Sequence, residues 1–140
     1  MLNEVSEPVD DKVLDAYALM AFLEDEPGAA QVENMLHRAL QGEIRLEMTV
    51  INLGEVYYNL ARKKSLDEAE KAFEILLSLP VAFIPVEWDL SHLAAQFKAK
   101  GGIAYADCFA AALAFQHGWS LVTGDPEFRQ LENFVKIEWI

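Results

Sequence analysis

Four acidic residues draw attention because each lies within an apolar stretch of the chain or directly after one. They are Asp15 before AYALMAFL, Glu55 within VINLGEVYYNL, Asp107 within IAYADCFAAALAF, and Asp125 after SLVTG. A carboxylate in a packed interior is costly unless a partner compensates its charge. Four such residues in one chain therefore indicate a shared location.

Clustered carboxylates have a defined chemistry. Neighbouring anions raise one another's pKa values, and a hard divalent cation relieves their repulsion. A ligand set made only of oxygen suits Mg²⁺ or Mn²⁺ better than Zn²⁺. The sequence has no Cys and His pairs at zinc spacing. It therefore predicts an Mg²⁺ or Mn²⁺ site formed by Asp15, Glu55, Asp107 and Asp125.

Alternating strands and helices would position these acids. Apolar periodicity predicts strands at 12–15, 44–48, 81–86, 120–123 and 135–139. It predicts helices at 16–23, 29–41, 50–63, 66–78, 87–100 and 104–117, with Thr49 and Ser65 as N-caps. This alternation predicts the α/β class, with a mainly parallel sheet and helices on both faces. Strand ends and helix starts share one edge of such a sheet, so the four acids can converge there.

Simpler explanations exist for each acid. Asp125 before Pro126 has the form of a helix N-cap, and Asp15 and Asp107 also lie where helices begin. Glu55 could pair with Arg62 or Lys63. Capping does not exclude metal binding for Asp15 or Asp125.

The composition limits the classes of protein. The 140 residues suggest one domain, predicted at 12–140 after a short polar tail at 1–11. The polar start argues against a secretory signal, and the lack of a long apolar run argues against a membrane span. A single cysteine, Cys108, fits a reducing compartment, and we expect a cytoplasmic protein. A net charge of −12 argues against broad electrostatic attraction to nucleic acid.

Four motifs, in this order and spacing, resemble the PIN domain, and specifically the small PIN-domain ribonucleases of the toxin–antitoxin type called VapC. They are VLDAYAL, INLGEVYYNLARK, YADCFAAALA and LVTGDPEF. The resemblance covers nearly the whole chain, from about Lys12 to Ile140. It implies a parallel sheet of about five strands, usual assembly as a homodimer, and a small antitoxin of the VapB type as partner.

The resemblance also implies roles for residues. Asp15, Glu55, Asp107 and Asp125 would be the catalytic and metal-binding acids, and Thr123 would support the site. The basic residues after the glutamate helix correspond to Arg62, Lys63 and Lys64. Many family members carry Ser or Thr two residues after the first aspartate, whereas this chain has Tyr17.

A mechanism follows as a hypothesis. The acids and their cation would activate a water for in-line attack on an RNA phosphodiester. The resemblance implies products with a 5′-phosphate and a 3′-hydroxyl. Glu55 would bind the cation or position the water. Arg62 falls on the same helical stripe as Glu55 and, with Lys63, would hold a substrate phosphate.

Other functions of similar folds fit less well. A receiver-type phosphorylation domain needs an aspartate after its third strand, where this chain has IPVEW. A haloacid-dehalogenase-type phosphatase needs a second aspartate at the position of Tyr17. The alternative that stays open is a non-catalytic module of the same fold that binds protein or RNA.

Overall fold

A five-stranded parallel sheet forms the centre of the molecule. The structure, a computed structural model, describes residues 10–140. Its strands are β1 (Lys12–Leu14), β2 (Leu46–Thr49), β3 (Ala82–Ile84), β4 (Ser120–Thr123) and β5 (Ile137–Trp139). The order across the sheet is β3-β2-β1-β4-β5, and every neighbouring pair is parallel. The strand order reverses at β1, and ligand sites in sheets of this kind open at such a point.

Six α-helices and a short 3-10 helix connect the strands. They are α1 (Ala16–Leu23), α2 (Ala29–Leu40), α3 (Val50–Lys63), α4 (Leu66–Leu77), α5 (Trp88–Lys100), α6 (Tyr105–His117) and the 3-10 helix Pro126–Leu131. Both predicted N-caps are confirmed. The Thr49 hydroxyl accepts a hydrogen bond from the Asn52 amide, and the Ser65 hydroxyl accepts one from the Glu68 amide.

The sheet separates two hydrophobic cores, so helices cover both of its faces. One core holds buried side chains of α1 to α4, such as Leu19, Val32 and Val56. The other holds α5, α6 and the 3-10 helix, including Phe97 and Phe128. Four alanines of α6 are fully buried, because small side chains let this helix pack closely against its neighbours; they are Ala110, Ala111, Ala112 and Ala114. The predicted fold class is confirmed.

The observed elements differ from the predicted ones mainly at their ends. Asp15 is the N-cap of α1 and not the last residue of β1. The third strand ends at Ile84 and does not reach residue 86, because Pro85 has no N–H to continue the hydrogen-bonded ladder. The last strand begins at Ile137 and not at residue 135. Across residues 10–140, no helix combines the length and the apolarity needed to cross a bilayer.

The predicted N-terminal tail lies outside the described residues except for Asp10 and Asp11. Asp10 forms ion pairs with Lys12 at 2.8 Å and with Arg38 at 2.7 Å. Asp11 accepts a hydrogen bond from the Arg45 amide at 2.7 Å. These two residues therefore contact the domain, at the edge of the sheet where β1 begins.

Two glycines should respond to alanine in opposite directions. Gly118 ends α6 with φ 69° and ψ 27°, a left-handed conformation that Cβ disfavours, so Gly118→Ala should lower the free energy of unfolding by about 1 kcal/mol. Gly54 lies inside α3 with open space around it, so Gly54→Ala should raise that energy by about 0.5 kcal/mol. Urea denaturation measures both. Equal effects of the two substitutions would contradict the assigned backbone conformations.

Candidate metal centre

An acidic cavity of about 310 Å³ opens at the edge of the sheet where β1 and β4 end. Its charged and polar lining is formed by Asp15, Tyr17, Glu26, Glu55, Asn59, Lys63, Asp107 and Asp125. All four predicted acids are therefore brought together. Among the described residues, Lys63 is the only basic side chain in this lining, against five carboxylates.

Asp15 is the most deeply buried of these acids. Its side chain is 1% exposed and accepts a hydrogen bond from the Ala18 amide at 2.8 Å, which makes it the cap of α1. Burial is the main reason that the pKa of Asp15 is raised to about 8; hydrogen bonds from Thr123 and Ala18 oppose the shift, and the charges of Asp107 and Asp125 add to it. Asp15 therefore holds a proton near neutral pH unless a cation replaces it.

A hydrogen-bonded asparagine positions Glu55. The side-chain amide of Asn52, which is fully buried, donates to the Glu55 carboxylate at 2.9 Å and to the Ala106 carbonyl at 3.1 Å. The Thr49 hydroxyl donates to the Asn52 carbonyl oxygen at 2.5 Å. This chain of contacts joins the starts of α3 and α6. Burial raises the pKa of Glu55, the Asn52 hydrogen bond lowers it, and the charge of Asp125 raises it.

Asp107 and Asp125 both line the cavity and lie in the segments before and after β4. Asp107 lies in the first turn of α6, and Asp125 caps the 3-10 helix through a 3.0 Å hydrogen bond from the Glu127 amide. The Thr123 hydroxyl accepts from the Asp125 amide at 3.0 Å, which holds the Asp125 backbone. Burial raises the pKa of Asp107 to about 7, with further contributions from Glu55, Asp125 and Glu127.

Glu127 is a further acid that the sequence patterns did not single out. Carboxylate oxygens of Asp107, Asp125 and Glu127 lie within 4.8 Å of one another, close enough to bind one ion together. Glu127 follows Asp125 by two residues, and the tight turn of the 3-10 helix carries it to the same side. The two-residue spacing from Asp125 was the one sign in the sequence that Glu127 could belong to the site. The polar residues around Glu127 in DPEF, however, resemble an ordinary exposed turn.

The three basic residues at the C-terminal end of α3 have different surroundings. Lys63 lines the cavity. Arg62 is exposed and is not among the lining residues, and its guanidinium carbon lies 5.0 Å from the centre of the Tyr58 ring. Lys64 lies 3.6 Å from the Glu24 carboxylate. Within residues 10–140, Glu55 has no ion-pair partner, so the simpler explanation of its charge through Arg62 or Lys63 is wrong.

The donor set of the cavity fits a hard divalent cation. Within the described chain, no histidine or cysteine lines the cavity, and oxygen is the only ligand atom that its acids offer. The adjacent Cys108 is buried, and burial together with Asp107 raises the pKa of its thiol to about 11. Cys108 is therefore neutral at physiological pH and unsuited to act as a nucleophile.

A family profile described as the PIN domain matches residues 12–133. The chain therefore belongs to the PIN domain family, as its motifs predicted. No curated protein sequence matches it significantly.

Solved structures share this fold at low sequence identity. VapBC2 from Rickettsia felis bound to a promoter DNA fragment matches with a TM-score of 0.71 and 18% identity, over 91% of this chain and 96% of that chain. DNA-bound VapBC from Salmonella typhimurium matches with a TM-score of 0.72 and 17% identity, over 93% and 98%. VapC20 from Mycobacterium tuberculosis, a toxin that cleaves the sarcin–ricin loop, matches with a TM-score of 0.70 and 18% identity, over 91% and 99%.

Without divalent cations, the acidic cavity should make stability depend on pH. A carboxyl whose pKa is higher in the folded state stabilises the fold at low pH, and this contribution is lost as pH rises through the folded value. The folded pKa values are about 8 for Asp15 and about 7 for Asp107, against 3.8 normally. Asp107→Asn should therefore stabilise the protein at pH 8 by about 1–2 kcal/mol, allowing for partial solvent screening, and by less at pH 5.

Urea denaturation in EDTA at pH 5 and pH 8 measures this effect. The control is Asp67→Asn, which removes an exposed acid from the first turn of α4. A gain from Asp107→Asn that is equal at both pH values, or no larger than that of the control, would show that the acids do not repel one another in the cavity.

Proposed function

We propose that the protein is a metal-dependent endoribonuclease and acts in the cytoplasm as the toxin of a VapBC-type toxin–antitoxin pair. The observation that carries the proposal is the acidic cavity, where five carboxylates face one lysine in a PIN fold. Such an excess of negative charge in a partly buried site is costly to a structural protein but useful for holding a divalent cation. The likeness to VapC20 and to VapBC complexes supports the choice of reaction and partner.

Asp15, Asp107, Asp125 and Glu127 would hold Mg²⁺ or Mn²⁺. When bound, the cation neutralises charge on the phosphoryl oxygens and lowers the pKa of the attacking water. Asp15, whose pKa burial raises to about 8, would have to give up its proton to act as a ligand. Thr123 supports the site by fixing the Asp125 backbone.

Glu55 and the basic residues of α3 would act on the substrate. The raised pKa of Glu55 makes it a stronger base than an exposed glutamate, and Asn52 fixes its orientation. Glu55 would therefore orient the attacking water and accept its proton. Lys63 in the cavity wall would bind a substrate phosphate, and the exposed Arg62, which precedes it on α3, would contact the RNA strand outside the cavity.

The same acidic surface suits a basic protein partner. A net charge of −12 disfavours nonspecific RNA binding but favours association with a cationic VapB-type antitoxin. Assembly as a homodimer belongs to the same proposal.

RNA cleavage tests the proposal directly. Purified protein with Mn²⁺ should cleave single-stranded and structured RNA, and Asp107→Asn should reduce the rate by at least about a hundredfold, because it removes a ligand and a charge at the reacting phosphate. EDTA should abolish cleavage. Equal cleavage by both proteins would indicate a contaminating nuclease. Cleavage by neither would favour the non-catalytic module, against which the presence of all four predicted acids in one cavity argues.

Manganese binding tests the contribution of Glu127. We expect Glu127→Gln to weaken Mn²⁺ binding about tenfold, measured by titration calorimetry, because the carboxylate lies within 4.8 Å of its two neighbours. Glu132→Gln, an exposed acid at the end of the same 3-10 helix, is the matched control and should leave the affinity unchanged. Identical affinities for both variants would remove Glu127 from the metal site.

A further inference from the structure

Tyr17 lies where the family pattern places a small hydroxyl residue. It occupies the first turn of α1, two residues after Asp15, and its side chain lines the acidic cavity. The residue is 43% exposed, so part of its ring faces solvent at the cavity wall. A phenol is a poorer ligand for a divalent cation than the carboxylates around it. The proposed mechanism gives Tyr17 no role.

The ring of Tyr17 is held against the backbone of Gly124. A Cβ atom placed on Gly124 would lie 2.3 Å from the Tyr17 Cε1 atom and 2.6 Å from Cζ. Cβ atoms essentially never lie so close to another atom, so a side chain at position 124 would displace the ring from this position. The φ angle of Gly124 is outside the left-handed region, so its backbone does not itself require glycine. The glycine between Thr123 and Asp125 therefore leaves room for Tyr17, whose ring contacts the loop that carries Asp125.

The charge of the cavity makes an uncharged contact to nucleic acid valuable. Lys63 is the only basic residue in its described lining. Phosphate contacts supply most nonspecific affinity for nucleic acids, and this chain offers few of them here. Stacking of bases on aromatic rings adds affinity that does not depend on positive charge. A ring that already packs against Gly124 also loses less conformational entropy on binding than a free side chain.

We propose that Tyr17 stacks against an unpaired base of the RNA and so positions the adjacent phosphodiester over the acids. This inference rests on the proposed function and adds a substrate-positioning residue to it. A paired base cannot reach the ring, so the contact selects single-stranded or looped RNA.

Fluorescence of 2-aminopurine reports such stacking. Short single-stranded RNAs carrying 2-aminopurine at successive positions would be titrated with protein in Ca²⁺ in place of Mn²⁺, and their intactness checked on a gel. Wild-type protein and the Tyr17→Phe variant should quench the fluorescence when 2-aminopurine is at one particular position of the RNA. Tyr17→Leu should lose the quenching and bind about tenfold more weakly, in keeping with the usual strength of base–aromatic stacking.

Two controls isolate the contact. Phe115→Leu removes a ring that is 49% exposed in the last turn of α6, at the end of that helix opposite Asp107, and should change nothing. The same RNA in a duplex should not be quenched. A Tyr17→Phe variant that behaves like Tyr17→Leu would assign the effect to the hydroxyl and overturn the stacking proposal, as would unchanged quenching in Tyr17→Leu.

The kinetic consequence separates this inference from the proposed function. If the wild-type protein cleaves RNA in Mn²⁺, Tyr17→Leu should raise KM with a smaller effect on kcat, while its Mn²⁺ affinity stays unchanged. Cleavage without Tyr17-dependent quenching would overturn the stacking contact alone. Quenching that depends on Tyr17, without cleavage in Mn²⁺, would overturn the nuclease proposal and leave the contact standing.

Discussion

The structure depends on keeping the Asp15 carboxylate buried beside Asp107 and Asp125. A side chain that is 1% exposed has lost nearly all of its hydration, so the protein must replace water with its own donors. The Ala18 amide does so at the start of α1, where the helix dipole also favours negative charge. Asp15, which follows β1 and caps α1, is therefore also the most deeply buried acid of the cavity.

Hydrogen bonding in this region is complete, whereas charge is not balanced. Within residues 10–140, every buried side-chain nitrogen and oxygen has a hydrogen-bond partner. Asn52 alone satisfies the Glu55 carboxylate, the Ala106 carbonyl and the Thr49 hydroxyl. Hydrogen bonds of the fold thus position these side chains, while five carboxylates face a single lysine. A cation would enter a preformed arrangement, and the ordering cost of binding would be small.

The sequence predicted the four acids because their neighbours are apolar. A single charge in IAYADCFAAALAF or at the end of a buried strand contradicts the local pattern, and such contradictions mark functional residues. Glu127 could not be found in this way, because it lies among polar residues after a helix cap. Its contribution depends on the pitch of a 3-10 helix, which the sequence does not display.

The same limit applies to the basic residues of α3. Helical periodicity places Arg62 nearer than Lys63 to the direction of Glu55. In the structure Lys63 lines the cavity, and Arg62 lies over the Tyr58 ring one turn before it. A cation–π contact directs the arginine away, and the flexible stem of lysine covers the remaining angle. The direction of a long side chain depends on the partners that compete for it, which helical periodicity does not show. Local sequence patterns also could not predict the contact between Tyr17 and Gly124, because these residues are far apart in the chain.

The distribution of ion pairs bears on how the proposed nuclease would select its RNA. Lys12, Arg38 and Arg45 are paired with Asp10 and Asp11 at the edge of the sheet where β1 begins, opposite the acidic cavity. They are therefore not available to draw phosphates towards the acids. Close to the acids, a strand of RNA would meet mainly repulsion, and attraction would come from a bound cation, from Lys63 and from the neighbouring Arg62. Tight binding would then require simultaneous contacts of the RNA with Lys63, with the cation and, through an unpaired base, with Tyr17. Productive binding would therefore be restricted to RNA whose shape allows all three contacts.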